Sequence, residues 1–340
     1  MYMGREPLDP AELPALAGAF RRSQLVYVMA ALGLADCLDA GPRTASELAA
    51  MTGAHERSLA RLLRALASEG MLTHDLEGRY GTTPFAQRLT STGPDSLRWM
   101  VLGWSVLPAK YHAWGDLLDS IRTGRSAFRE LRGMPFYEYL ALHPAEAADY
   151  DRAMSSTVEG FAAVVDGYDY SAVGSLVDVG GGEGVLLAAV LERYPSMKGT
   201  LFDLPAVVQG ADEVLTDAGV RDRVEIAGGD MFESMPEGAD AYMFSTVFRC
   251  FDDDECVRVL ECCRAVLPDH GRLLAVEMVR PDGSWESPAG LGDIDAMVLY
   301  GGADRTESEW DVLLARGGFS LLEIVPLGAP YSLVVAGPAN

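Results

Sequence analysis

This 340-residue chain lacks a paired C-x-x-C, a leader-like start, a membrane-length apolar run and any surplus of basic charge, and each absence removes a class of function. Its five cysteines, Cys37, Cys250, Cys256, Cys262 and Cys263, have no histidine spaced to complete a zinc site, so no metal is expected and the thiols read as reduced and buried. The stretch MYMGREPLDPAELPAL carries acids and prolines where a signal peptide needs a basic segment and an apolar core. No uncharged apolar run reaches 18 residues, and the expectation is a cytoplasmic protein without membrane attachment. Fifty acids against 27 bases give a net charge of -23, a field that repels phosphate backbones and anionic membranes. There is no internal repeat and no low-complexity tract. What is present, 49% apolar residues and a mean hydropathy of +0.08, describes a globular chain long enough for two units.

From residue 11 to about 90 the apolar spacing is helical in QLVYVMAALGLADCL, TASELAAMTG and ERSLARLLRALASEGML. LTHDLEGRYGTT then predicts a hairpin about Glu77-Gly78, and three helices followed by a β-wing form a winged helix. Such a module suggests DNA reading by Arg57, Arg61 and Arg64. Residues 1–90, however, hold nine arginines and no lysine against ten acids, which is no basic footprint. A solvated arginine face and a dimerisation platform are the expectation. Residues 95–165 again read as helical. Trp99, Trp104, Tyr111, His112 and Trp114 are core candidates one by one, and together they could wall an aromatic pocket. Beyond DGYDYSAVG, strands and helices alternate as in a doubly wound parallel sheet, with strands in SLVDVGG, GTLFDLP, RVEIAGGDMF, DAYMFSTVF, RLLAVEMV and the closing segments.

VDVGGGEGVLL, residues 177–187, is the most specific stretch. A strand ends at Asp178, four glycines (Gly180, Gly181, Gly182, Gly184) follow within six residues, and a helix begins. Glycines there let a ligand approach the backbone and leave a helix N-terminus open to it. The loop lacks the Lys-Ser/Thr of a P-loop. Asp203, in LFDLP and 25 residues after Asp178, stands where an α/β nucleotide site binds ribose hydroxyls. NAD and S-adenosylmethionine both fit that logic; the G-x-G-x-G spacing disfavours NAD, and Asp178 could meet the ammonium of a methionine moiety.

With these motifs the chain resembles the class I S-adenosylmethionine-dependent O-methyltransferases of the bacterial secondary-metabolite and plant caffeate type. The resemblance runs through GTTPFAQRL, AWGDLLDSIRTGRSAF, DYDRAM, LVDVGGGEGVLL, GTLFDLPAVV, GDMFESMPEGADAYMF, DDDECVRVLECC, GRLLAVEMV and GGADRTESEW. It implies a winged-helix dimerisation domain over 11–92, a helical linker and substrate-pocket segment over 93–165, and a Rossmann-like catalytic domain over 166–340. It implies cofactor contacts from the Gly180–Gly184 loop, Asp203 with Leu204 at the ribose, Asp230 and Met231 beside the adenine, and Arg152 and Ser245 near the methionine carboxylate. S-adenosylhomocysteine would be the product, a small molecule the acceptor and a homodimer the assembly.

The family commonly has His-Asp-Trp after the fourth strand, the histidine acting as general base. Here the triplet is Arg249-Cys250-Phe251. Arginine stays protonated and cannot accept a proton, although it can stabilise a phenolate or bind a carboxylate. The acids Asp252 to Glu255 are expected to cap the helix whose apolar face is Cys256, Val259, Leu260, Cys263 and Val266. Glu277 and Asp304 match acids that support the histidine in the family, and either could pair with Arg249. His112 is a further catalytic candidate. Two enzyme readings stand: methyl transfer to an oxygen of an aromatic or polyketide-like metabolite, and a reaction without methylation (hydroxylation, dehydration or a pericyclic step) on the same cofactor-binding fold. A ligand-sensing DNA regulator rests on the winged helix alone.

Overall fold

The computed structural model describes residues 8–93, 95–105, 107–155, 159–283, 290–328 and 330–339. It divides into two compact units, residues 1–111 with 143–156, and residues 112–142 with 157–340. The helical segment expected over 93–165 is thereby shared out: Trp99, Trp104 and Tyr111 belong to the first unit, His112 and Trp114 to the second.

In the first unit, helices Phe20–Ala31, Ala45–Thr52 and Glu56–Ser68 accompany a small antiparallel sheet. Its strands are β1 (Arg43–Thr44), β2 (Thr73–His74) and β3 (Arg79–Gly81), in the order β1-β3-β2. The predicted hairpin is β2 and β3, turned at Gly78 with φ +79°. Thr44 and Glu47 form a reciprocal capping box that starts the second of those helices. The helix Glu56–Ser68 buries Leu59, Leu63 and Leu66 on one face, while Arg57, Arg61 and Arg64 lie exposed on the other.

The second unit is built on seven strands: β4 (Ser175–Val179), β5 (Lys198–Asp203), β6 (Val224–Gly228), β7 (Ala241–Ser245), β8 (Arg272–Glu277), β9 (Phe319–Pro326) and β10 (Ser332–Pro338). Their order is β6-β5-β4-β7-β8-β10-β9, with β4 to β8 parallel and β10 antiparallel to both its neighbours. Central strands such as AYMFS are apolar on both faces because helices cover both, with one core under each face. Strand order reverses between β4 and β7, and the crevice for a ligand lies outside the carboxyl ends of strands at such a reversal.

Of the acids Asp252 to Glu255, the first and last cap the helix as expected, while Asp253 and Asp254 pair with Arg305 and Arg316. Asp252 Oδ1 accepts the Glu255 N–H at 2.8 Å and Glu255 Oε2 accepts the Asp252 N–H at 3.2 Å, starting the helix Asp253–Val266. All five cysteines are free thiols, and here the expectation is corrected in part. Cys250, Cys256 and Cys263 are buried, whereas Cys37 and Cys262 sit at the edges of apolar clusters and are only half-buried.

Candidate active site

The glycine loop joins β4 to the helix Val185–Arg193. Gly180, Gly182 and Gly184 have φ of +69°, +61° and +85°, a region that residues with a Cβ enter only under strain. A Cβ on Gly180 would stand 2.9 Å from Val247 Cγ2 and 3.6 Å from Met231 Cε, so Met231 lies against this loop. Asp203, at the end of β5, is pinned: Oδ2 accepts the Gly182 N–H at 2.8 Å and Oδ1 the Leu204 N–H at 2.7 Å. Burial still holds its carboxyl above the ordinary range. Leu204 is exposed beside it.

Asp178 is fully buried, and neither of its oxygens meets a hydrogen-bond donor in bonding geometry among the described residues. Burial pushes its pKa up to about 7 and the Asp203 charge adds to the rise; the backbone N–H of Leu187 in the first helical turn partly offsets it. A buried carboxyl without a hydrogen-bond partner among the described residues, next to a helix N-terminus and a second, pinned carboxyl, fits a ligand that carries a cation as well as hydroxyls. Asp230 is exposed and accepts the Phe232 N–H at 2.8 Å, which directs the next residue, Met231, toward the loop.

Ser245 ends β7, and Thr246 after it has φ +55°, the one residue besides glycine with positive φ among the described residues. That conformation is costly for a β-branched side chain, and such strain gathers at functional sites. Thr246 is held in it by its N–H on the Val276 carbonyl at 2.8 Å. The sequence carries no signal for this strain.

The single turn Phe248–Cys250 follows, clamped from several sides. Arg249 is buried: Nε donates to Asp304 Oδ1 at 2.8 Å, and Nη2 to Asp304 Oδ2 at 3.3 Å and to the Gly292 carbonyl at 2.7 Å. Nη1 makes no hydrogen bond among the described residues. Burial works to lower the pKa of Arg249, but the hydrogen-bonded Asp304 carboxylate and the neighbouring acids outweigh it and raise the pKa, so the side chain remains a cation. Glu277, ending β8, accepts the Phe248 N–H at 2.7 Å. Arg305, which sequence reasoning passed over, is buried; Nη1 donates to the Phe248 carbonyl at 2.9 Å, and Nη2 to the Phe251 carbonyl at 3.1 Å and Asp253 Oδ1 at 2.8 Å. Its signal was adjacency to Asp304 alone. Gly302 must lack a side chain, because a Cβ there would fall on the Arg249 carbonyl.

Aromatic rings stand beside this turn. Tyr137 and Tyr300 stack with centroids 5.7 Å apart and planes 6° apart, and the Tyr137 hydroxyl is 3.4 Å from Cys250 Sγ. Trp114 Nε1 donates to Asp295 Oδ1 at 2.6 Å, tying the aromatic segment to the helix Gly290–Leu299. Asp178, Asp203, Ser245 and Glu277 thus lie at the carboxyl ends of β4, β5, β7 and β8, with Arg249 and Asp304 paired beside the ends of β7 and β8. His112 is not drawn in with them: it is exposed, with Nδ1 3.3 Å from Arg132 Nη2. Arg152 lies in the first unit, exposed, 3.5 Å from Asp149 and over the Trp99 ring at 4.7 Å.

A family model described as an O-methyltransferase domain matches residues 114–320, and one described as an O-methyltransferase dimerisation domain matches residues 15–92. The chain is 38% identical over 336 residues to phenazine O-methyltransferase PhzM of Lysobacter antibioticus, covering 98% of each chain. It is 35% identical to aclacinomycin 10-hydroxylase RdmB of Streptomyces purpurascens, over 93% of this chain and 87% of that one. The fold superposes with a TM-score of 0.84 and 33% identity on the crystal structure of NcsB1, an O-methyltransferase from neocarzinostatin biosynthesis in complex with S-adenosylmethionine and 2-hydroxy-5-methyl naphthoic acid, covering 93% of this chain and 96% of that one.

Proposed function

Because this chain belongs to the S-adenosylmethionine-dependent O-methyltransferases, we propose that it methylates an oxygen of a small aromatic or polyketide-like secondary metabolite, with Arg249 standing where the family's histidine base stands. The Gly180–Gly184 loop, Asp178, Asp203, Leu204, Asp230, Met231 and Ser245 would hold the cofactor. When bound, S-adenosylmethionine supplies an electrophilic methyl group on a sulfonium.

The observation that carries the reading is the fixed guanidinium of Arg249. Its three hydrogen bonds among the described residues go to Asp304 and Gly292, and none of them involves Nη1. A cation held this way favours the ionised form of an acceptor oxygen and needs no reorganisation during reaction. Orientation supplies much of the remaining rate of an in-line displacement. Tyr137 and Tyr300 offer flat apolar faces within the same unit, which suits an aromatic acceptor. The dimerisation domain over residues 15–92 supports a homodimer.

A second reading has one specific support. A relative with 35% identity is named aclacinomycin 10-hydroxylase. Mass spectrometry of reactions containing trideuteromethyl S-adenosylmethionine and a pool of phenols, hydroxy-acids and polyketide intermediates separates the two. A labelled product is expected; an acceptor converted without label would favour the second reading, and unchanged turnover in Arg249→Ala would remove Arg249 from the mechanism.

A further inference from the structure

We propose that Glu277 is the proton acceptor for the substrate hydroxyl, receiving the proton on Oε2 while Arg249 holds the oxygen that is left. This rests on the methyl-transfer reading above and deepens it.

The argument begins from how the neighbouring charges are committed. Arg249 is engaged by Asp304, and Arg305 by Asp253 at 2.8 Å. Glu277 has no ion pair of its own among the described residues, although two arginines stand near it. It is 2% exposed, Oε1 takes the Phe248 N–H, and Oε2 makes no hydrogen bond among the described residues. A buried carboxylate kept for structure is normally satisfied on both oxygens. This one is satisfied on one, at the carboxyl end of β8 beside the turn that carries Arg249.

The groups that bear on it are Arg249 and Cys250 on that turn, Cys256 on the following helix, Asp304 and Arg305 on the loop after the helix Gly290–Leu299, and Tyr331 ahead of β10. Burial outweighs the arginines and pushes Glu277 up to about 7. A phenol near its ordinary pKa of about 10 then gives its proton uphill by roughly three units, instead of the roughly six that an ordinary glutamate would impose. The cation of Arg249 reduces the remainder.

The step balances. The acceptor oxygen forms its bond to the methyl carbon as the carbon–sulfur bond breaks, with that electron pair remaining on sulfur. The hydroxyl proton goes to Glu277 Oε2 and then to solvent.

The test uses Glu277→Gln in the full chain with a series of substituted phenols of falling pKa, following transfer of the trideuteromethyl label. The amide oxygen still accepts the Phe248 N–H, and melting together with calorimetric binding of S-adenosylmethionine checks that fold and cofactor site survive. Expected is a loss of about 100- to 10,000-fold in kcat for weakly acidic phenols, shrinking to a few-fold for a nitrophenol already ionised at the assay pH. The acid limb of the wild-type pH profile near 7 should vanish with the carboxylate, and Glu277→Asp should recover part of the rate. An equal loss for every phenol, or none, would overturn the role of Glu277. Wild-type protein that labels no phenol while binding S-adenosylmethionine would overturn the methyl-transfer reading itself, and this inference with it.

Discussion

Replacing Asp304 with alanine tests whether Arg249 is held by a true buried ion pair. The two groups meet at 2.8 and 3.3 Å, and both are almost completely removed from solvent. At an effective dielectric of about 20, unit charges about 3 Å apart attract by roughly 5 kcal/mol before the cost of drying them is subtracted. Removing one partner strands the other charge, which costs about 3–5 kcal/mol in buried pairs, while replacing both with apolar residues of similar volume is often neutral. Asp304→Ala should therefore lower stability by about 3–5 kcal/mol, or the melting temperature by roughly 10 °C. The double variant Arg249→Met/Asp304→Leu should regain most of that stability while losing methyl transfer. Denaturant unfolding of wild type, both single variants and the double variant reads the coupling directly. A loss below about 1 kcal/mol for Asp304→Ala, the range of exposed pairs, would refute the picture of a desolvated, prefixed guanidinium and with it the basis for anion stabilisation.

Four further outcomes follow from the site and the assembly. Asp178 is raised to about 7 by burial, so between the ordinary carboxylate range and pH 7 the native state holds a proton that the unfolded chain has released; stability falls as pH rises through that window, and Asp178→Asn should abolish the fall. A bound cation favours the ionised form, so S-adenosylmethionine should bind more tightly as pH rises through 7 and release a proton at pH 6; calorimetric heats independent of the buffer's ionisation enthalpy would count against this. Thr246→Gly should relieve the φ of +55° and raise stability by about 0.5–1 kcal/mol while lowering turnover, and a loss of stability in denaturant unfolding would show that the conformation is not strained. Leu16 and Phe20, 58% and 57% exposed in the dimerisation domain, should be dimer contacts; aspartate at both should yield monomers by light scattering, and an unchanged mass would place the interface elsewhere.

Much of this protein is written in local pattern. The winged helix, the parallel strands, the glycine loop and the capping acids after Arg249 were all legible because each depends on spacing within a dozen residues: helical or strand periodicity, glycines at positive φ, a side chain reaching its own helix start. Asp203 was legible for a related reason, since one crossover sets the distance between consecutive strand ends. Arg249 itself, and its place directly after the strand Ala241–Ser245, could also be read from the segment in which it stands.

Tertiary structure decided which charges are partners. Asp304 and Glu277 were interchangeable candidates for Arg249, lying 55 and 28 positions away; the fold gives Asp304 to Arg249 and leaves Glu277 with one backbone N–H. Arg305 had no sequence pattern to reveal that it clamps the turn, and the strain at Thr246 comes from a hydrogen bond to the neighbouring strand. His112, plausible by type, proved exposed against Arg132. Periodicity reports which face of an element is dry, because burial of apolar surface repeats with the backbone. It does not report what meets across sheet edges and loops, and there the desolvation of a few named charges settles the chemistry.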